Sequence, residues 1–165
     1  MATGYATSVF RAVPNTTTMH LLLQLELPAD ARFLPKTRRA VAGYLEEVGV
    51  EPEHSADVVL ALDEACANVI RHAFPDGTEG TIRLQAEFAD DAVIVQVEDD
   101  GVGFDPFEVP LRETTVEDVS GRGLRMIRQL MNSVQLESPT TTGGTRLRMA
   151  KRLGPPGPDD GDYAR

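Results

Sequence analysis

The stretch TIRLQAEFADDAVIVQVED, residues 81–99, limits the fold more than any other part of the chain. Ile82, Leu84, Ala86 and Phe88 alternate with Arg83, Gln85 and Glu87, the period of a strand with one apolar face. The run that follows is richer in Val and Ile. The ADD between them leaves room only for a hairpin-like link, so the two strands are antiparallel neighbours. A sheet with one apolar face needs a cover, and the flanking segments supply helices.

Upstream, residues 20–27 read as a short strand ending at Pro28. A helix over about 30–48 carries Pro35 near its first turn and Val41, Tyr44 and Leu45 on one side, with Gly49 at its end. A second helix runs from 51 to about 74, opened by Pro52 and acidic residues and closed before Pro75. Downstream, residues 104–120 show no period and read as a long loop. GRGLRMIRQLMNSV is a third helix with Leu124, Ile127 and Met131 as its core stripe, and VQLESP and GTRLRMAKRL are the last two strands. The order β, α, α, β, β, loop, α, β, β has no regular βαβ alternation and does not suggest a Rossmann fold. It predicts an α+β two-layer sandwich: a mostly antiparallel mixed sheet covered on one face by three helices. Residues 19–153 are the expected domain, residues 1–18 a flexible extension, and residues 154–165 a disordered tail rich in Pro and Gly.

Charge and composition narrow the function classes. A formal net charge of −10 argues against a nucleic-acid partner, which calls for clustered Lys and Arg, but leaves nucleotide binding open. Cys66 is the single cysteine, so no disulfide can form within the chain. No apolar run approaches the ~20 residues of a membrane span, and no signal peptide is visible. A cytoplasmic protein with no membrane association is the expectation.

The helix segment LDEACANVIRHAF, residues 62–74, holds the first candidate site. At ~100° per residue, Val58, Leu62, Ala65 and Val69 form one stripe, flanked by Cys66 and Ile70. Glu64 and Asn68 lie together, roughly 40° apart and well off that stripe, with Asp57 and Arg71 in the same general direction. A solvated polar face accounts for such a pair. So does a shared ligand: a carboxylate can act as a general base, and an amide oxygen one turn later can bind a hard cation such as Mg²⁺. His72 and Asp63 read as structural or solvent-facing, and Cys66 as a small buried hydrophobe.

Two glycine segments add to the pattern. VEDDGVGF runs a β-branched strand into Asp99, Gly101 and Gly103. An acidic turn explains it; so does a carboxylate that accepts from an adenine amino group, with glycines that let backbone approach a flat ring. SGRGL, residues 120–124, leads into a helix whose free N–H groups suit an anion, with Arg122 adding charge. TTGGTRLRM places Gly143, Gly144 and Thr145 at the start of the last strand, where the Thr145 hydroxyl reaches the pocket of Asp99 if the strands are neighbours. No Walker loop and no protein-kinase HRD or DFG motif is present.

In this order and spacing, the segments resemble the nucleotide-binding fold shared by gyrase, heat-shock protein 90, histidine kinases and MutL, the Bergerat-type ATP-binding fold. EACAN matches the N box, DDGVG and GRGL the two glycine boxes, and GGT the closing threonine box. Over roughly residues 20–152 the wording resembles the stand-alone anti-sigma-factor serine/threonine kinases of bacterial sporulation and stress response. The resemblance implies roles. Glu64 is the base that takes the proton from a partner's serine or threonine hydroxyl, and Asn68 binds Mg²⁺. Asp99 reads the adenine amino group, with Gly101 and Gly103 shaping the adenine floor and Thr145 supporting Asp99. Gly121, Arg122, Gly123 and Leu124 cap the phosphates of ATP, and residues 104–120 are the lid. It further implies a homodimer that binds a sigma factor or an anti-anti-sigma protein. A non-catalytic ATP-binding anti-sigma module is the alternative. A detached histidine kinase domain would need a helical dimerisation domain with an acceptor histidine, and a gyrase-type ATPase a transducer domain.

Overall fold

The computed structural model describes residues 7–15, 18–74, 79–89, 91–103, 119–141 and 143–154. In chain order these form β1 (Thr7–Asn15), β2 (Thr18–Pro28), a 3₁₀ turn at Ala31–Phe33, α1 (Leu34–Glu47), α2 (Pro52–His72), β3 (Thr81–Ala89), β4 (Ala92–Asp99), α3 (Val119–Leu130), β5 (Ser133–Glu137) and β6 (Arg146–Arg152). The strands make one six-stranded sheet in the order β1-β2-β3-β4-β6-β5. Every neighbouring pair among the described strands is antiparallel.

The two-layer α+β sandwich expected from the pattern is the observed architecture. Leu23, Leu25 and Leu27 of β2, Ile82, Leu84 and Ala86 of β3, Val93, Val95 and Val97 of β4, and Leu147 and Met149 of β6 are buried at alternate positions. They meet Val41, Tyr44 and Leu45 of α1, Val58, Ala61, Leu62, Ala65 and Cys66 of α2, and Ile127 of α3 in one core. Helix α2 is the middle helix, in contact with α1, α3, β4 and β6.

Polar links hold α2 in place. Asp63 pairs with Arg38 of α1 at 2.9 Å. Asp57 pairs at 2.7 Å with Lys151 of β6, whose Nζ also donates to the Leu130 carbonyl at the end of α3. On the opposite face of the sheet, Glu26, Arg83, Glu98, Arg146 and Glu137 stand directly opposite one another across five strands. Their charges alternate in sign, with Arg146 at 2.8 Å from both Glu98 and Glu137. A one-residue slip would put these charges into the core, so the row reinforces the register that places the ends of β4 and β6 side by side.

The structure corrects the sequence reading at the N-terminal segment and at the start of α3. Residues 7–15 belong to the sheet rather than to a flexible extension: β1 pairs with β2 from Thr7↔Glu26 to Asn15↔Thr18. Thr, Val and Phe in TSVFRAVPN favour a strand, and an edge position tolerates Pro14. Helix α3 begins at Val119, two residues before the expected Gly121. The expected lid falls almost wholly on residues 104–118, and the expected tail on 155–165, outside the described residues.

Candidate functional site

Helix α2 brings Glu64, Asn68 and Arg71 into line, because residues four and three apart share a helix face. One nitrogen of Arg71, Nη2, donates to Glu64 Oε1 at 2.8 Å and to Asn68 Oδ1 at 3.1 Å. Its Nε donates back to the Ala67 carbonyl at 3.0 Å. The guanidinium is thus anchored to its own helix while it joins the carboxylate to the amide. Both functional side chains are partly buried rather than fully solvated.

Helix α3 closes on this pair at Gly123. A Cβ at that position would lie 2.8 Å from Asn68 Nδ2 and 2.9 Å from Glu64 Cδ, and nearer still to Glu64 Oε1. Gly123 therefore lets α3 run directly over the carboxylate and amide. Its neighbour Leu124 packs against the hydrophobic core. The backbone of Gly121 and Arg122 lies in the first turn of α3. The first four N–H groups of a helix have no partner within it, and those of Gly121 and Arg122 are among them.

Asp99, the last residue of β4, is 2% exposed. Burial pushes its carboxyl above the ordinary aspartate range, against the backbone N–H groups of Gly101 and Thr145, which hold it down. The Gly101 N–H donates to Asp99 Oδ1 at 2.9 Å. The Asp99 N–H in turn donates to the Thr145 carbonyl at 3.0 Å. Thr145 thus touches Asp99 through its backbone, whereas its hydroxyl pairs with Ser138 Oγ at 3.0 Å.

The glycines around Asp99 make room for protein. A Cβ on Gly101 would stand 2.7 Å from Ala73 Cβ and 2.9 Å from the Ala73 carbonyl carbon, just past the end of α2. The next residue, Val102, donates its N–H to the Ala73 carbonyl at 3.1 Å. Gly103 has φ +66° and faces the Gly144 carbonyl. Gly144, with φ +70°, presses on the Asp99 backbone, and its missing Cβ would lie 2.9 Å from Asp99 Oδ1.

The expected site residues therefore fall into two groups. Glu64, Asn68 and Gly123 form one; Asp99, Gly101, Gly103 and Thr145 form the other. The last turn of α2 and the Ala73 that follows it connect them. Sequence reasoning gave no role to Arg71, although its direction on the wheel pointed to the pair. It missed Ser138 and Ala73, which carry no local signature. Cys66 is buried, and burial pushes its thiol up to about 12, so it is a neutral core group.

The donor set suits a nucleotide with a hard cation. A carboxylate can take a proton, an amide oxygen is a hard ligand for Mg²⁺, and helix N–H groups attract phosphate. A buried carboxylate beside glycine-opened backbone can accept from an amino group on a flat ring. Among the described residues no cluster of three or more His, Cys, Asp or Glu could hold a metal by itself. Mg²⁺ is commonly held by one or two protein oxygens together with substrate phosphates, which is the pattern Asn68 fits.

The histidine kinase-like ATPase domain family matches residues 27–151. The serine-protein kinase RsbW of Listeria innocua is 30% identical over 128 residues, 72% of this chain and 81% of the relative. The anti-sigma F factor of Clostridium novyi is 32% identical over 135 residues, 79% of this chain and 94% of the relative. Among solved structures, the RsbU and RsbW domains of Rv1364c from Mycobacterium tuberculosis share the fold, with a TM-score of 0.59 at 23% identity. That match covers 81% of this chain and 33% of the larger one.

Proposed function

The chain belongs to the histidine kinase-like ATPase domain family, and on that premise we propose that it is an anti-sigma factor and an ATP-dependent serine/threonine-protein kinase. In this reading it binds a sigma factor and phosphorylates an anti-anti-sigma antagonist on a serine or threonine hydroxyl. The names of its relatives support this, one a serine-protein kinase and the other an anti-sigma factor. The observation that carries the reading is the contact of Gly123 with Glu64 and Asn68. It brings a carboxylate and an amide close to the start of a helix, whose free N–H groups suit an anion.

Each residue has a physical task. Glu64 takes the proton from the acceptor hydroxyl. Asn68 offers Oδ1 to Mg²⁺, which when bound offsets phosphate charge. The N–H groups of Gly121 and Arg122, with Gly123 and Leu124 behind them, cap the phosphates. Asp99 accepts from the adenine amino group, beside Gly101, Gly103 and Thr145. Phosphoryl transfer depends chiefly on positioning and charge stabilisation, and these groups supply both. The protein works in the cytoplasm as a homodimer, without direct nucleic-acid contact. Among the described residues no helix is long and apolar enough to cross a membrane.

Glu64→Ala tests the proposal. The variant is expected to bind ATP and to lose phosphate transfer to a cognate antagonist; unchanged transfer would refute the role of Glu64. The ion pair from Arg71 to Glu64 favours a second reading, an ATP-binding anti-sigma module with an idle base. Native protein that binds Mg-ATP and a sigma factor but transfers no phosphate to any antagonist would establish it.

A further inference from the structure

The Arg71 bridge carries an inference that rests on the reading just given. Arg71 Nη2 occupies Glu64 Oε1 and Asn68 Oδ1 together. These are the atoms assigned to the proton and to the cation. A dication on Asn68 Oδ1 sits about 2.1 Å from that oxygen. The guanidinium nitrogen is 3.1 Å from the same oxygen. The dication and the Arg71 nitrogen would thus stand within about 5 Å of each other on one amide oxygen, with like charge.

The ordinary account of the bridge is a helix-surface ion pair with little consequence. Three features set it apart. The guanidinium is fixed at its other end by the Ala67 carbonyl, so its position is defined. The same nitrogen reaches both functional groups, so releasing it from one oxygen loosens it from the other. The amide oxygen Oδ1 is engaged by Arg71 while Nδ2 faces Gly123.

We propose that Arg71 is a latch and a positioning residue. It joins Glu64 to Asn68, opposes entry of a divalent cation at Asn68 Oδ1, and gives up the Glu64 carboxylate when the cation enters. Cation loading and release of the base are then one event. The carboxylate stays ion-paired to Arg71 until the metal needed for transfer is in place.

The test is a Mg²⁺ titration of ATP binding to the full chain, read by calorimetry or by a fluorescent ATP analogue, for the native protein and for Arg71→Met and Arg71→Lys. Thermal melts check that each variant folds. Arg71→Met is expected to lower the Mg²⁺ concentration for half-maximal ATP binding about fivefold, the effect of removing one half-exposed charge. Its ATP binding in EDTA should match the native protein. Arg71→Lys, a point charge without the fork that serves both oxygens, should fall between the two. An unchanged or higher Mg²⁺ requirement in Arg71→Met, with ATP still bound, would overturn the latch alone. Loss of ATP binding in EDTA would overturn it by showing that Arg71 holds the nucleotide. Failure of the native protein to bind ATP at any Mg²⁺ concentration would instead overturn the functional reading, and the latch with it.

Discussion

Replacing Gly123 by Ala separates function from stability in a way that the contact geometry dictates. The new Cβ would lie 2.8 Å from Asn68 Nδ2 and 2.9 Å from Glu64 Cδ. Those atoms must retreat by roughly 0.5–1 Å to restore ordinary contacts of about 3.5 Å, and the nearer Glu64 Oε1 by more than that. All belong to the ends of side chains, so the tips can move while the two helices stay in place. The stability terms nearly cancel. Ala in place of Gly inside a helix gains up to about 1 kcal/mol. Loosening a half-exposed ion pair such as Arg71–Glu64 costs about 0.2–1 kcal/mol. The melting temperature should therefore stay within about 4 °C of the native value. Transfer behaves differently, since a misplacement of about 1 Å in a catalytic group costs on the order of 10²-fold. The assay pairs a thermal melt with phosphate transfer from labelled ATP to the antagonist. Transfer close to the native rate would refute the reasoning. So would a fall in melting temperature beyond about 8 °C, which would mean that the α3 backbone, and not the side-chain tips, yields.

Two further substitutions probe the adenine side. Gly144→Ala forces a left-handed residue at φ +70° and drives a Cβ into the Asp99 backbone. It should cost about 2–4 kcal/mol in urea unfolding and weaken ATP binding, whereas a loss under about 0.5 kcal/mol would show that the turn can relax. Asp99→Asn removes a charge whose burial raises the folded carboxyl above its unfolded value, so the sign follows from linkage. The native protein has the full stability of the neutral carboxyl below the unfolded value and loses it as pH rises through the raised folded one. The variant has no such loss, so native stability relative to Asp99→Asn should improve as pH falls from neutral towards 4; denaturation midpoints at several pH values measure this, and a flat difference refutes it. The same variant should bind ATP more weakly and discriminate less against GTP.

The parts of the fold that were legible in the sequence are those in which local pattern and tertiary burial agree. The stripe Val58, Leu62 and Ala65 is buried in α2, and the alternation of β3 and β4 matches the core-facing and open faces of the sheet. Strand β1 was hidden because TSVFRAVPN shows no regular apolar–polar alternation, and its order comes from pairing with β2, a long-range property that a local window does not encode. The start of α3 was misplaced because two glycines read as a boundary, while the helix continues through them. Within the site, the wheel put Glu64, Asn68 and Arg71 on one flank. Spacing alone could not say that one guanidinium nitrogen would reach both partners. The link from Thr145 to Asp99 was expected through a hydroxyl. It runs through the backbone because adjacent antiparallel strands bring main-chain groups together first, which leaves the hydroxyl to Ser138.

The glycines show how the two halves of the site depend on one helix. Gly101 was expected to let backbone approach a flat ring and Gly123 to cap phosphates, yet the atoms that crowd Gly101, Gly123 and the turn residue Gly144 belong to the chain: Ala73, then Glu64 and Asn68, then Asp99. Gly101 and Gly123 both fit against the second half of α2 or the residue that follows it. A side chain at either position would lift its loop or helix away from α2, and the adenine-side carboxylate and the base would lose their common reference. Asp57–Lys151 and Asp63–Arg38 fix that same helix to β6 and α1. The glycine pattern is therefore first a rule of assembly: it lets two separate segments seat on α2 closely enough that a carboxylate from β4 and a carboxylate from α2 serve one nucleotide.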